Sequence, residues 1–191
     1  GNKAYSSGGA MYDNAIGGTN RSHLVNVIMW GDSAPSAAEF LKGSATPTIS
    51  YSDIDQDGIT GVGNFRADPL LSGLADHGGG MLTFALLPGS PAIDSGSSAA
   101  CAAAPVNNLD QRGVTRPQGG GCDLGAFESH GFTLMAAGGS PQETVISSPF
   151  ALPLDVLAGS TNAEPVGAGG VITLPPPVEG PGLSVTTPFT I

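Results

Sequence analysis

Apolar residues along this chain come in short bursts separated by small polar clusters. Ala10 to Tyr12, His23 to Trp30, Thr48 to Ser52 and Met81 to Leu86 read as brief strands. Ser7-Gly8-Gly9, Gly17-Gly18-Thr19-Asn20 and Gly31-Asp32-Ser33 lie before or between them and can turn the chain. The run Leu24-Val25-Asn26-Val27-Ile28-Met29-Trp30 is rich in β-branched residues and stops at Gly31, which predicts a strand. Ser36 to Leu41 carries Ala37, Ala38, Glu39 and Leu41 and predicts a helical turn, too short to matter alone. Brief strands joined by tight corners suit a solenoid, in which each turn of chain stacks on the last.

Composition sharpens this picture. The 191 residues include 30 Gly and 16 Pro, a density that leaves little room for long helices. Such a chain would read as disordered if it were poor in apolar residues and rich in charge. Here 40% of residues are hydrophobic and 12% charged, so a packed core is expected. The formal net charge of −10 repels a phosphate backbone, which argues against nucleic acid as a partner. No apolar run approaches the roughly 18 to 20 residues of a membrane span. Cys101 and Cys122 are the two cysteines, and a pair of this kind in a loop-rich region predicts a disulfide and an oxidising, extracellular setting.

The two halves differ. All six basic residues precede position 117, whereas residues 131–191 hold none of them and nine of the prolines. This shift sets a boundary near Ser129 to Gly131.

An ordered series of motifs lies in the first half. It comprises Leu24 to Ala34, Thr48-Ile49-Ser50-Tyr51-Ser52-Asp53-Ile54, Asp68-Pro69-Leu70, Leu87-Pro88-Gly89-Ser90-Pro91-Ala92-Ile93-Asp94-Ser95-Gly96, Asp110-Gln111-Arg112-Gly113, Arg116-Pro117 and Cys122-Asp123-Leu124-Gly125-Ala126-Phe127-Glu128. Together these resemble the C-terminal end of secreted bacterial right-handed parallel β-helix surface proteins, of the choice-of-anchor and polymorphic outer-membrane-protein kind. The resemblance covers roughly residues 1–130 and implies a fold and a surface location rather than an enzymatic activity. In the second half, Gly139-Ser140-Pro141-Gln142, Phe150 to Val156 and Glu164 to Leu174 are similar to the opening strands of bacterial Ig-like repeats of adhesins. A full sandwich of that type takes about 7 strands over roughly 100 residues, more than the 131–191 segment holds. The expected architecture is all-β: a right-handed parallel β-helix (solenoid) end with a disulfide-closed cap over residues 1–130, then a small, incomplete Ig-like β-sandwich over residues 131–191.

Several residues carry candidate chemistry. Asp53-Ile54-Asp55-Gln56-Asp57-Gly58 places alternate carboxylates before a glycine, a pattern that wraps oxygen ligands around Ca²⁺. The twelfth position of such a loop is Asn64 rather than the closing Glu, so a solvated corner built on Asx turns competes with a structural calcium site at Asp53, Asp55 and Asp57. No other cofactor is expected. Gly31-Asp32-Ser33 resembles the nucleophile block of GDS-type esterases, but no Asp-x-x-His follows, and a strand-ending turn explains it. His23, His77 and His130 are dispersed and lack metal-ligand spacing. Parallel β-helices also host pectin-cleaving enzymes, so a polysaccharide lyase or hydrolase is the enzymatic rival, set back by the absence of a clustered basic patch for anionic sugar. Asp110, Arg112, Arg116, Asp123 and Glu128 surround the Cys101 to Cys122 loop and read as a cap with internal ion pairs. Asn20-Arg21-Ser22 is an N-glycosylation sequon.

Ser7 to Tyr12 reads as an interior rung, and the chain starts at Gly1 without a signal peptide, so it is expected to be a processed product or a fragment. An uncapped rung and a sandwich short of strands both expose unpaired backbone. The functional expectation is thus a non-enzymatic, extracellular structural protein of a bacterial surface. It would assemble head to tail as a homo-polymer, through strand complementation or rung stacking. The competing expectation is an adhesive or carbohydrate-binding module with a glycan partner.

Overall fold

The computed structural model describes residues 1–14, 22–44, 47–139, 141–145, 148, 151–153 and 155–167. Its described elements are almost all short strands, with one five-residue helix among them.

Three strand pairs are parallel and follow one another along the chain. Strand β1 (Met11–Asp13) lies beside β4 (Phe40–Lys42), with Met11 opposite Phe40. Strand β2 (His23–Val25) lies beside β5 (Thr48–Ser50), with His23 opposite Thr48. Strand β3 (Ile28–Met29) lies beside β6 (Asp53–Ile54), with Ile28 opposite Asp53. Isolated parallel bridges extend the order: Lys3 with Ser33, Ser7 with Ser36, and Asp53 with Phe65. The apolar residues of these strands pack one above another. Met29, Phe40, Ile49 and Ile54 form one buried cluster, with Met11, Leu24 and Val27 against it.

The expected strands Thr48 to Ser52 and Met81 to Leu86 are shorter, ending at Ser50 and spanning Leu82–Thr83. The structure departs further from the sequence reading at two places in this half. The expected single strand from His23 to Trp30 is two strands, because Asn26 sits at φ 57° and breaks the extended backbone between β2 and β3. The expected helical turn from Ser36 to Leu41 is instead a bridge at Ser36 followed by strand β4, with Ala37 at φ 49°. Local helix propensity loses here because pairing with β1 buries Phe40 to 3% exposure.

After β6 the chain makes a small antiparallel pair, β7 (Ala75–Asp76) with β8 (Leu82–Thr83). Helix α1 (Ser98–Ala102) follows within an alanine-rich run. Ser97 caps it, its side chain accepting from the Ala100 amide at 3.4 Å, and Ala103 returns to extended backbone two residues before Pro105. A second cluster of Ala85, Leu86, Ala92, Leu124 and Phe127 is sealed between this region and the parallel strands, with Ile28, Tyr51 and Phe65 packed on it. Gly125 lies at φ +80°, where an added Cβ would press on the Ile28 side chain at 3.1 Å.

Beyond residue 130, the described residues make an antiparallel ribbon of β9 (Thr133–Gly138) and β10 (Asp155–Gly159). Leu157 faces Met135 across it, and Ala158 faces Leu134. Leu134, Met135 and Leu157 are each more than half exposed. The pieces Phe150 and Leu154, with Ala168 to Leu174, fall outside the described residues, as does most of the Asn20-Arg21-Ser22 sequon.

Candidate functional site

Asp94, Asp110, Arg112, Arg116, Asp123, Glu128 and Glu164 converge on one largely buried network. Asp110 accepts from the amides of Arg112 at 2.7 Å, Val114 at 2.9 Å and Glu128 at 3.0 Å, and pairs with the Arg112 guanidinium at 2.7 Å. Asp123 accepts from the amides of Asp94 at 2.8 Å and Ser129 at 2.7 Å. Glu128 accepts from Gln118 N at 2.9 Å and Asp123 N at 3.0 Å, with Arg116 at 3.6 Å. Arg116 also donates to the carbonyls of Asp123 and Gly125, each at 2.9 Å. The chemistry is that of a scaffold. A loop-rich segment lacks ladders to satisfy its buried amides, and carboxylates supply the acceptors instead.

The Arg112 guanidinium carbon also sits over the Phe127 ring, 3.5 Å from its centroid, while His77 meets the same ring edge-on at 5.8 Å. The Cys101–Cys122 disulfide suggested by the sequence is formed, with a sulfur separation of 2.05 Å, and closes the same region. Glu164 joins the second half to it. One oxygen accepts from the Ser129 hydroxyl at 2.8 Å, and the other from the His130 amide and ring, each at 2.9 Å.

Burial raises several of these acids. The Asp123 carboxyl is pushed up to about 7 by burial, against the pull of its two amide donors. Glu128 is raised for the same reason. Elsewhere Glu39 is pushed up to about 7 and Asp53 to about 6, again by burial first. Each of these last two also has a buried oxygen without a hydrogen-bond partner, which suits a neutral carboxyl better than a charge.

The calcium candidates are divided. Asp55 and Asp57 both bind Arg66 at 2.8 Å, so the cation they share is a guanidinium. Asp53 is fully buried and accepts from the Ala67 amide at 3.1 Å. Among the described residues, no group of three His, Cys, Asp or Glu side chains is placed to hold a metal ion. Asn64, at the loop's twelfth position, serves the backbone instead, bonding Ser52 N and Ile49 O.

Gly31-Asp32-Ser33 is a corner. The Asp32 carboxylate takes the Asn2 amide, and the Ser33 hydroxyl donates to the Asn2 carbonyl at 3.5 Å. His77 is held by Thr83 and His130 by Glu164.

Two residues escaped the sequence reading. Asn26 carries the junction between the strands and helix α1, and a polar side chain inside an apolar run was its signal. Glu39, buried to 1% exposure and accepting from Asp32 N at 2.9 Å, gave no signal, since its neighbours suit an exposed helical turn.

Cavities lie near the parallel strands. One of about 440 Å³ lies beside Cys101, between Val25, Val106 and Leu109. Another, of about 270 Å³, is lined by Trp30, Phe84 and Leu86 with Asn2 and Asp32. No helix among the described residues is long and apolar enough to cross a membrane. In comparisons with known proteins, no family model, curated protein or solved structure matches this chain.

Proposed function

We propose that this chain is a non-enzymatic, extracellular structural protein of a bacterial surface that assembles head to tail through open β edges. In this reading residues 1–130 form the end of a right-handed parallel β-helix. The steady advance of the parallel pairs, Met11 beside Phe40, His23 beside Thr48 and Ile28 beside Asp53, supports it. The charge network and disulfide then act as the cap of that solenoid, and residues 131–191 as a sandwich short of strands.

The observation that carries the proposal is the β9–β10 ribbon. Two strands alone are marginal in water, and a third strand or a covering layer is needed for independent stability. This ribbon has two outer edges without a strand partner among the described residues, and exposed Leu134, Met135 and Leu157 on its faces. Open edges of that kind template pairing with another chain. Negative-stain electron microscopy and light scattering over a dilution series test the reading. Regular filaments or layers that persist on dilution support it, and dispersed particles at every concentration remove it.

A second reading, an adhesive module that binds glycan, is favoured by the 270 Å³ cavity. Trp30 and Phe84 offer apolar faces there, with Asp32 and Asn2 beside them, a mix that suits a sugar ring. Glycan-array binding that is lost in Trp30→Ala, with no filaments at any concentration, would select it.

A further inference from the structure

Resting on the assembly reading above, we infer that the β9–β10 ribbon, which has no third strand among the described residues, takes residues 183–191 of a second copy of this chain as that strand. The ribbon states what its partner must supply: an extended segment, apolar on one face, with backbone groups free to pair. Met135 and Leu157 stand opposite one another on one face, each more than half exposed, so the apolar surface to be extended is already set.

The segment Leu183-Ser184-Val185-Thr186-Thr187-Pro188-Phe189-Thr190-Ile191 has the sequence pattern of such a strand. Leu183, Val185, Phe189 and Ile191 alternate with Ser184, Thr186, Pro188 and Thr190, a period of two that puts the apolar set on one face of a strand. Pro188 refines the match. Proline is tolerated in a strand only where its missing N–H faces the solvent edge. Backbone groups of residues two apart point to the same side, so Pro188 on the even-numbered set leaves the odd-numbered residues to pair with the ribbon. The odd-numbered set is the one that carries the apolar side chains. The two conditions are independent, since side chains stand perpendicular to the pairing direction, and the segment meets both.

The choice of a second copy follows from the intervening sequence. Pro175, Pro176, Pro177 and Pro181 stand between the ribbon and the segment. The Pro175 to Pro177 run has the composition of a semi-rigid spacer just before the segment and favours delivery to a neighbour. Gly167, Gly169 and Gly170 before it have a composition that permits return to the same ribbon, so heavy-to-light crosslinks decide between the two. The contact is heterologous, since the tail of one copy meets the ribbon of the next, and it repeats without closing.

The test uses the full-length chain with a photo-crosslinking benzoylphenylalanine at position 189. Chains labelled with heavy and light nitrogen are mixed before assembly. The expected result is heavy-to-light crosslinks from position 189 into residues 133–138 or 155–159. Crosslinks confined to one chain, crosslinks elsewhere, or none in assembled material would overturn the inference. In parallel, the full-length Val185→Asp, Phe189→Asp double variant should raise the concentration for half-assembly by more than about tenfold. If it assembles like the wild type, the contact lies elsewhere and the assembly reading stands. A wild type that never assembles removes that reading, and this contact with it.

Discussion

Asn26 and Ser97 are 71 positions apart and hold each other by both edges of one amide. The Ser97 N–H donates to Asn26 Oδ1 at 2.7 Å, and Asn26 Nδ2 donates to the Ser97 carbonyl at 3.2 Å. The side chain thus does what a neighbouring strand would do, at the point where α1 must be attached to the parallel strands. Its φ of 57° is part of the same arrangement, because asparagine enters the left-handed region more readily than most residues and so turns the side chain out of the β2–β3 run.

Asn26→Leu should therefore be costly despite restoring an unbroken apolar run. It strands the Ser97 amide, while the Ser97 carbonyl keeps the Cys101 N–H at 3.0 Å, and it forces a branched residue into a disfavoured backbone region, a loss of about 2 to 3 kcal/mol. Asn26→Asp keeps the acceptor for Ser97 N but turns a carboxylate toward the Ser97 carbonyl, and should fall between. Chemical denaturation of the three proteins gives the ranking, and equal midpoints would show that the bridge adds nothing.

That junction also shows how much of the molecule was legible. The strands near Met11, His23, Ile28, Thr48 and Leu82 and the disulfide could be read because they announce themselves locally, as short apolar bursts between small polar clusters and as a lone cysteine pair. The break at Asn26 and the strand at Phe40 could not. Each is decided by a partner far away in sequence: Ser97 for the first, Met11 for the second. The acids of the cap were recognised as a group, but their role as acceptors for amides such as Ser129 and Gln118 depends on loops whose course no local pattern encodes. Asp53, Asp55 and Asp57 looked equivalent by spacing, and only the fold separates a buried Asp53 from two carboxylates on Arg66.

The corner at Arg66 yields a metal prediction. With the guanidinium already bound by Asp55 and Asp57, Ca²⁺ must displace it and finds no third converging carboxylate among the described residues. Wild-type melting should be unchanged by chelator or by millimolar Ca²⁺. Arg66→Gln frees both carboxylates and should make melting calcium-sensitive. A wild type that gains several degrees from Ca²⁺ would show that the corner rearranges into a true ion site.

Arg112 makes the strongest single-residue prediction in the buried charge network. Its side chain is 7% exposed and that of Asp110 fully buried, and the same guanidinium covers Phe127. Removing one partner of a buried pair typically costs about 3 to 5 kcal/mol, because the other charge is left without compensation. Arg112→Ala should lose at least that lower figure, and Arg112→Lys should recover only part of it, since an ammonium cannot both sit over the ring and reach Asp110. Full rescue by lysine would reduce the contact to simple charge pairing.

The disulfide should act mainly through the unfolded chain. Closing a loop between cysteines 21 positions apart is worth about 3 kcal/mol in the chain-entropy model. Both cysteines are almost fully buried, so reduction of the folded protein should be slow and should speed up once the cap opens. The Cys101→Ser, Cys122→Ser double variant should melt well below the wild type. Unchanged melting would show that the charge network alone holds the cap.

The pH dependence of stability follows from the buried acids, and its sign is the reverse of the usual acid denaturation. Glu39, Asp53 and Asp123 rise from ordinary values of 4.5, 3.8 and 3.8 to about 7, 6 and 7 on folding, and burial is the leading cause in each. Between about pH 4 and pH 7 the folded chain thus binds more protons than the unfolded chain at these positions. Stability from them is complete below the unfolded values and is lost as pH rises through the folded ones. Denaturation midpoints should fall from pH 4.5 to pH 7.5. Asp53→Asn separates this from a general charge effect, because the amide keeps an acceptor for Ala67 N while removing the titrating group. Its midpoint should vary less with pH than that of the wild type and exceed it at pH 7.5. A wild-type midpoint that rises across this range would mean that the amide donors to Asp123 and Glu128 outweigh burial, and that the cap is held together by charged carboxylates.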